Sequence, residues 1–255
     1  MTYQLLPDTT AVLPWTPGAI EHVNDYFQDR PAEELVQWSL ETFGSDVVLG
    51  TGFGPSGVVL VHMVAQIRPQ ATIFYLDTDV LFAKTYALRD QLEAQLGIQF
   101  TRLHSDFSLD EQANSYGSRL WARNPDLCCQ LRKVIPLRRF LADKRAWMTG
   151  IRREQSPTRA NTRLVEWNVA NQVLKINPLA AWSESQIWDY IRAHKLPFNP
   201  LHEQGYPSLG CVPCTRAIAP GEDQRAGRWS GYAKVECGIH LENGKVQRLN
   251  VSHQR

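Results

Sequence analysis

The residues best equipped for chemistry in this 255-residue chain are its five cysteines, and their spacing divides them four plus one. Cys128 and Cys129 are adjacent in a segment whose pattern predicts a helix. Cys211 and Cys214 form a Cys-Val-Pro-Cys pair in an irregular stretch. Four thiolates can close a tetrahedral zinc site or hold a 4Fe-4S cluster. Adjacent side chains on a helix diverge by about 100 degrees, so two of them reaching one small ion demands strain, whereas a cluster offers separate iron atoms. The doublet therefore leans towards iron-sulfur. A thioredoxin-like redox pair is the competing reading of Cys-x-x-Cys, but that motif belongs after an early strand at a helix start. Buried, unligated cysteines are the plainest alternative.

The fifth cysteine, Cys237, sits in Lys-Val-Glu-Cys-Gly-Ile-His near the chain end, flanked by charge and glycine. A thiol on such a tail suits covalent chemistry, and His240 with nearby basic groups is expected to favour its thiolate. Lys133 follows Cys129 by one helical turn and is placed to balance negative charge on the cysteines. Arg152 and Arg153 follow a strand end, with Arg159 in the same loop, and Arg216, Arg225 and Arg228 lie in the C-terminal stretch. Guanidinium groups read phosphate and sulfate oxygens through paired hydrogen bonds, so these two clusters fit a phosphosulfate ligand.

A glycine loop supplies a second anion-binding element. Gly52-Phe53-Gly54-Pro55-Ser56-Gly57 satisfies G-x-G-x-x-G between a strand and a helix, and Asp77 lies 20 residues beyond Gly57. Spacing alone makes this a dinucleotide fingerprint and leaves a nicotinamide dehydrogenase open. The backbone N–H groups and dipole at a helix N-terminus favour phosphate or sulfate whatever the nucleotide.

The elements that must hold these residues alternate. Helix is expected over 33–43, 58–67 and 82–96, near 111–123, and over 127–143 and 184–194, the last with a Ser183 and Gln186 capping box. Strands are expected at 47–49, 72–76, 98–103, 146–150 and 173–176. That alternation implies an α/β fold, a parallel sheet flanked by helices. Residues 1–32 read as a loosely packed lead-in, 33–196 as a nucleotide-binding α/β domain, and 197–255 as an irregular cluster-binding and catalytic segment packed on that domain. With 27 basic and 26 acidic side chains, the overall charge gives no reason to expect nucleic acid or a membrane surface. No signal peptide or long apolar run is present, so a cytoplasmic protein with reduced thiols is expected.

In sequence these residues resemble the assimilatory adenylyl sulfate and phosphoadenylyl sulfate reductases, in their iron-sulfur branch, from about Val47 to His240. The matching stretches are Phe53-Gly54, Leu76-Asp77-Thr78, Cys128-Cys129 with Lys133, Gly150 to Ser156, Asn199 to His202, Cys211 to Cys214, Pro220 to Asp223 and Glu236 to His240. The resemblance implies a fold similar to the adenine nucleotide alpha-hydrolases, with the C-terminal tail closing over the site. It places adenosine on the glycine loop, Leu76 and Gly150, the ribose on Arg159, and the phosphosulfate on Lys133, Arg225, Arg228 and His240. It further implies Cys237 as nucleophile, a 4Fe-4S cluster on Cys128, Cys129, Cys211 and Cys214, and sulfite release by thioredoxin or a similar dithiol protein. A homo-oligomer is expected. Cluster-containing members usually prefer adenylyl sulfate and often carry an acidic pair where this chain has Pro55-Ser56-Gly57, a loop closer to the phosphoadenylyl-specific branch. The Trp229 to Val235 segment is shorter than usual and lacks the common tryptophan run.

Overall fold

The computed structural model describes residues 15–240. The start of the expected lead-in and the last 15 residues of the expected C-terminal segment lie outside the described residues. The described residues open on a helix within the stretch expected to be a loose lead-in. Thr16 caps α1 (Pro17–Phe27) by accepting from the Ala19 N–H at 3.2 Å, and Pro17 occupies its first turn, where no N–H is needed. Ile20, Val23 and Phe27, three or four residues apart, are its buried face.

Then follow α2 (Ala32–Phe43), β1 (Val47–Thr51), α3 (Pro55–Ile67), β2 (Ile73–Asp77), α4 (Ala83–Leu96) and β3 (Phe100–His104). Gly97 ends α4 in the left-handed conformation, returning its N–H to Glu93. The helix expected near 111–123 is two, α5 (Leu109–Tyr116) and α6 (Leu120–Arg123), because Gly117 adopts φ +83° between them. The next helical run is continuous but not uniform. α7 (Pro125–Cys129) widens into a π-helical stretch, Gln130–Val134, before α8 (Ile135–Leu141). Three more strands, β4 (Ala146–Thr149), β5 (Val165–Asn168) and β6 (Val173–Ile176), precede α9 (Glu184–Ala193), which carries the expected Ser183 and Gln186 capping box.

The six strands form one sheet in the order β3-β2-β1-β4-β6-β5, parallel throughout except for β5, which pairs antiparallel to β6. Alternate residues face opposite layers. Leu49, Ile73 and Met148 pack with α1, α2, α3 and α9, while Val48, Phe74 and Trp147 pack with α8. β5 was not anticipated, and its free edge is covered by α1. Asn24 donates to the Val165 carbonyl at 2.8 Å and accepts from the Val165 N–H at 3.1 Å. Both groups are ones an edge strand leaves open.

The chain moves outward from β1 through β2 to β3, then crosses to β4 on the other side of β1. The loops after β1 and β4 therefore diverge from one sheet edge, the place where open α/β sheets bind ligands. Among the described residues no helix is long and apolar enough to cross a membrane.

Candidate active site

At that edge a cleft of about 290 Å³ is lined by the glycine loop, the loop after β4, the 200–210 region and the tail up to His240. Gly150 is what allows the two loops to meet: a Cβ there would lie 3.1 Å from the Gly57 nitrogen and the Ser56 carbonyl carbon. A Cβ at Gly52 or Gly54 would meet no protein atom within 4 Å, so these two glycines present bare backbone to the cleft. Leu76 also lines it.

Two expected substrate contacts do not face this space. Phe53 holds φ +58°, strained for a residue with a side chain, and its ring packs inward against Tyr75 and Phe100 at 5.3 and 5.1 Å. It anchors the loop from beneath. Asp77 is buried and already partnered, accepting from Tyr86 at 2.7 Å, Arg102 at 2.7 Å and the Asp79 N–H at 2.9 Å. Burial pushes its carboxyl up, but these donors outweigh burial and hold it below the usual value. A dinucleotide enzyme needs that acid free for ribose hydroxyls, so the fingerprint reading loses its acidic member.

The cleft's charge is one-sided. Lys133, Arg152, Arg159, Arg225 and Arg228 line it against only Glu184 and Glu236. Arg152 donates from Nε to Ser56 Oγ at 2.9 Å and from Nη1 to the Trp182 carbonyl at 3.0 Å, and burial lowers its pKa. Arg159 donates from Nε and Nη2 to the two Glu236 carboxylate oxygens, each at 2.9 Å, and Arg225 Nη2 donates to the same carboxylate at 3.1 Å. Burial also takes the Arg225 guanidinium down to about 10. Arg228 has no carboxylate partner among the described residues; it bonds Ser208 Oγ and the Leu209 carbonyl and lies over the Trp229 ring. Arg153 instead turns away, bonding the Thr162 carbonyl, and Arg216 pairs with Glu222 at the surface.

Among the described residues five buried side-chain nitrogens lack a partner: those of Trp147, His202, Arg228, Trp229 and His240. All five residues line this cleft. Buried polar groups are nearly always satisfied, so their gathering here marks a place built for a polar ligand. His202 lies in the matching Asn199 to His202 stretch and Trp229 opens the shortened segment, but sequence alone gives neither of them, nor Trp147, a role in the site. His240 departs from expectation in its charge. Its ring stacks on Trp147 at 5.3 Å and 7°, and burial, helped by Lys175, Arg159 and Arg225, pushes its pKa well down. That lowering works against the cationic support it was expected to give the Cys237 thiolate.

Cys237 lines the cleft, half-buried. The other four cysteines line a separate small pocket adjoining it through Lys133 and Trp229, with Trp121, Pro125 and Pro213 as further walls. Thr78 Oγ1 lies 3.2 Å from Cys211 Sγ, and the Val212 N–H bonds the Val80 carbonyl at 2.8 Å, which fixes the Cys-x-x-Cys pair against the end of β2. Cys128 and Cys129 enter from the last turn of α7, just before the helix widens. π-helical turns recur at functional sites. Burial raises the Cys128 thiol to about 11 and the Cys129 thiol to about 12, and raises Cys214 as well. Lys133 lines both pocket and cleft. Burial opposes its charge, but Cys211, Cys237 and Cys129 around it raise its pKa above the ordinary lysine value. Among the described residues no three His, Cys, Asp or Glu side chains are grouped to hold a single metal ion.

Residues 46–217 match the model of the phosphoadenosine phosphosulfate reductase domain. The chain is 51% identical over 228 residues to an adenosine 5'-phosphosulfate reductase of Salinibacter ruber, covering 89% of this chain and 90% of the relative. A protein of the same name from Halalkalibacterium halodurans is 43% identical, with 87% and 96% covered. Among solved structures, the phosphoadenylyl-sulfate reductase of Candida auris, crystallised with phosphate, superposes with a TM-score of 0.71 at 27% identity, covering 82% of this chain and 100% of that one. The sheet is thus the adenine nucleotide alpha-hydrolase-like fold, and the chain belongs to the phosphoadenosine phosphosulfate reductase domain family.

Proposed function

We propose that this protein reduces adenylyl sulfate to sulfite and AMP in assimilatory sulfate reduction, with electrons from thioredoxin or a similar dithiol protein, in the cytoplasm. The observation that carries this reading is the convergence of Cys237 and five cations on one nucleotide-sized cleft at the sheet's ligand-binding edge. The relatives named as adenosine 5'-phosphosulfate reductases support it.

The glycine loop, Leu76 and Gly150 bind the adenosine. Arg159 and Arg225 lie towards the ribose and phosphate, and Lys133 and Arg228 take the phosphosulfate. The Cys237 thiolate attacks the sulfonate sulfur, a sulfur–sulfur bond forms, and the sulfur–oxygen bond to AMP breaks with the electron pair leaving on the phosphate. Lys133, held as a cation, offsets negative charge as the thiolate and sulfonate approach. A thiolate of the partner dithiol then attacks the Cys237 sulfur and sulfite leaves. The second partner thiol frees Cys237, so the partner ends oxidised to its disulfide. The other four cysteines are engaged elsewhere, which is why the resolving thiol must come from outside the chain.

Cys128, Cys129, Cys211 and Cys214 are the residues that would hold a 4Fe-4S cluster. Their donor set fits: four thiols line one largely apolar pocket, with Lys133 at its edge to balance thiolate charge. Bound there, the cluster would tie α7 to the C-terminal segment and extend the anionic surroundings that keep Lys133 charged.

One observation favours a second substrate. Ser56 stands in the loop where an acidic residue would repel a 3'-phosphate, and Arg152 lies beside it. Phosphoadenylyl sulfate is thus the alternative, alone or alongside adenylyl sulfate. The test is sulfite release from both sulfonucleotides with thioredoxin, together with the mass of the chain after one turnover without reductant. The expected result is one added sulfonate on Cys237; AMP release from an unmodified chain would overturn the covalent reading.

A further inference from the structure

Cys237 makes no hydrogen bond of its own among those described, so its place depends on its neighbours in the tail. On one side His240 stacks on Trp147. On the other, Glu236 is 5% exposed and fully engaged. Its Oε1 accepts from Arg159 Nε at 2.9 Å and from Thr158 Oγ1 at 3.4 Å, and its Oε2 accepts from Arg159 Nη2 at 2.9 Å and Arg225 Nη2 at 3.1 Å. Arg225 Nη2 also holds the Val235 carbonyl at 2.9 Å. Arg159 is itself braced by Gln155 at 2.5 Å. The fork-to-fork match between guanidinium and carboxylate fixes direction as well as distance.

Resting on the reading above, we propose that Glu236 is a positioning residue for Cys237. Its carboxylate clasps the tail to the loop after β4 through Arg159, and to the earlier part of the C-terminal segment through Arg225, and thereby sets the thiol at the cleft. Two arginines that the family resemblance gives wholly to substrate thus share their charge with the tail. Two cations against one carboxylate leave a surplus of one, so the clasp and a bound phosphate are compatible. Lys133 and Arg228, with no carboxylate partner among the described residues, carry the larger share of the ligand's charge. The clasp also couples events: a ribose or phosphate touching Arg159 touches the group that aims the nucleophile.

Glu236→Gln keeps the shape but removes the charge and turns one acceptor into a donor facing guanidinium. Glu236→Asp keeps the charge but cannot reach both arginines equally. With the full chain, three quantities separate the possibilities: AMP affinity, the single-turnover rate of sulfonate transfer to Cys237, and the alkylation rate of Cys237 by iodoacetamide without nucleotide, mapped by peptide mass. The expected result for E236Q is at least tenfold slower sulfonate transfer, AMP affinity within threefold of wild type and at least fivefold faster alkylation, with E236D between the two. Transfer within twofold of wild type in E236Q would overturn the proposal. AMP binding tightened tenfold with transfer intact would overturn it too, making the carboxylate a competitor for the anion site. If E236Q does not fold, E236D carries the same comparison. Absence of any sulfonate adduct on wild-type Cys237 would instead refute the proposed activity, and alkylation would still report on the clasp.

Discussion

Lys133 faces two sets of sulfur at once, and Asp77, which spacing assigned to a nucleotide, faces none of the cleft. The contrast shows what residue type and spacing can tell. Cysteine is rare and reactive enough that five of them in a four-plus-one pattern announce chemistry wherever the chain folds, and the structure gathers four around one pocket and the fifth in the adjoining cleft. Asp77 followed from a count along the chain, but a carboxylate at a strand end bonds whatever donors arrive there, and Tyr86 and Arg102 arrive from α4 and β3. Asp77→Ala should destabilise the protein by about 2–4 kcal/mol, since it strips a buried network of its acceptor, while changing AMP affinity little. Urea unfolding alongside calorimetric titration reads both; a large loss of AMP affinity in a stably folded variant would return Asp77 to the site. Cys237→Ser should abolish sulfite release with iron content kept, whereas Cys128→Ser should lose iron, which metal analysis of the purified variants checks. Glu236 stood in the matching Glu236 to His240 stretch, but its clasping role was not legible there, for a physical reason. An acid beside a cysteine near a chain end reads as solvated, and its partner Arg159 lies 77 residues away.

At the scale of elements, the alternation of apolar runs made the sheet and most helices legible, because parallel strands and their covering helices bury regular faces. What escaped was structure held by single polar contacts. The prolines at 14 and 17 concealed α1, although Pro17 starts the helix and does not break it, and Ile20, Val23 and Phe27 already carry helical spacing. β5 escaped because it is short and is stabilised from its edge. Asn24→Ala should cost about 1–3 kcal/mol by stripping that edge of both its side-chain bonds, a loss that urea unfolding would show and that leaves the cleft untouched. The tail clasp has a pH signature. Burial raises the Glu236 carboxyl, but Arg159 and Arg225 more than offset this, so its folded value lies below the ordinary 4.5. A depressed carboxyl contributes stability that is fully present above about pH 4.5 and is lost as pH falls through the folded value. The stability difference between wild type and Glu236→Gln should therefore be constant near neutrality and shrink as pH drops below that ordinary value. A difference that persists unchanged down to pH about 3 would mean the ion pair contributes nothing to it.

Substrate choice belongs to the whole molecule, because two distant features argue opposite ways. The four cysteines beside the cleft lean towards adenylyl sulfate, as the family resemblance implies, while the loop at Pro55 and Ser56 leans towards the 3'-phosphorylated form. The cysteines weigh more. Cluster-free relatives lack a whole ligand set, whereas a loop contact changes one residue at a time. The sequence offered no dedicated cationic pocket for a 3'-phosphate, and the structure refines that: Arg152 lies at the loop, but its bonds already go to Ser56, the Trp182 carbonyl and, at 3.3 Å, Glu154. Such an arginine tolerates a second phosphate without being free to clamp it. Adenylyl sulfate should therefore give the higher kcat/KM, with appreciable turnover of phosphoadenylyl sulfate because no loop carboxylate repels it. Arg152→Ala should lower the efficiency on the 3'-phosphorylated substrate more than on adenylyl sulfate. The comparison belongs at matched low ionic strength, where charges at the loop are least screened. A preference of about tenfold for the phosphorylated form, about 1.4 kcal/mol in transition-state terms, would show that the loop and not the cysteine set reports specificity.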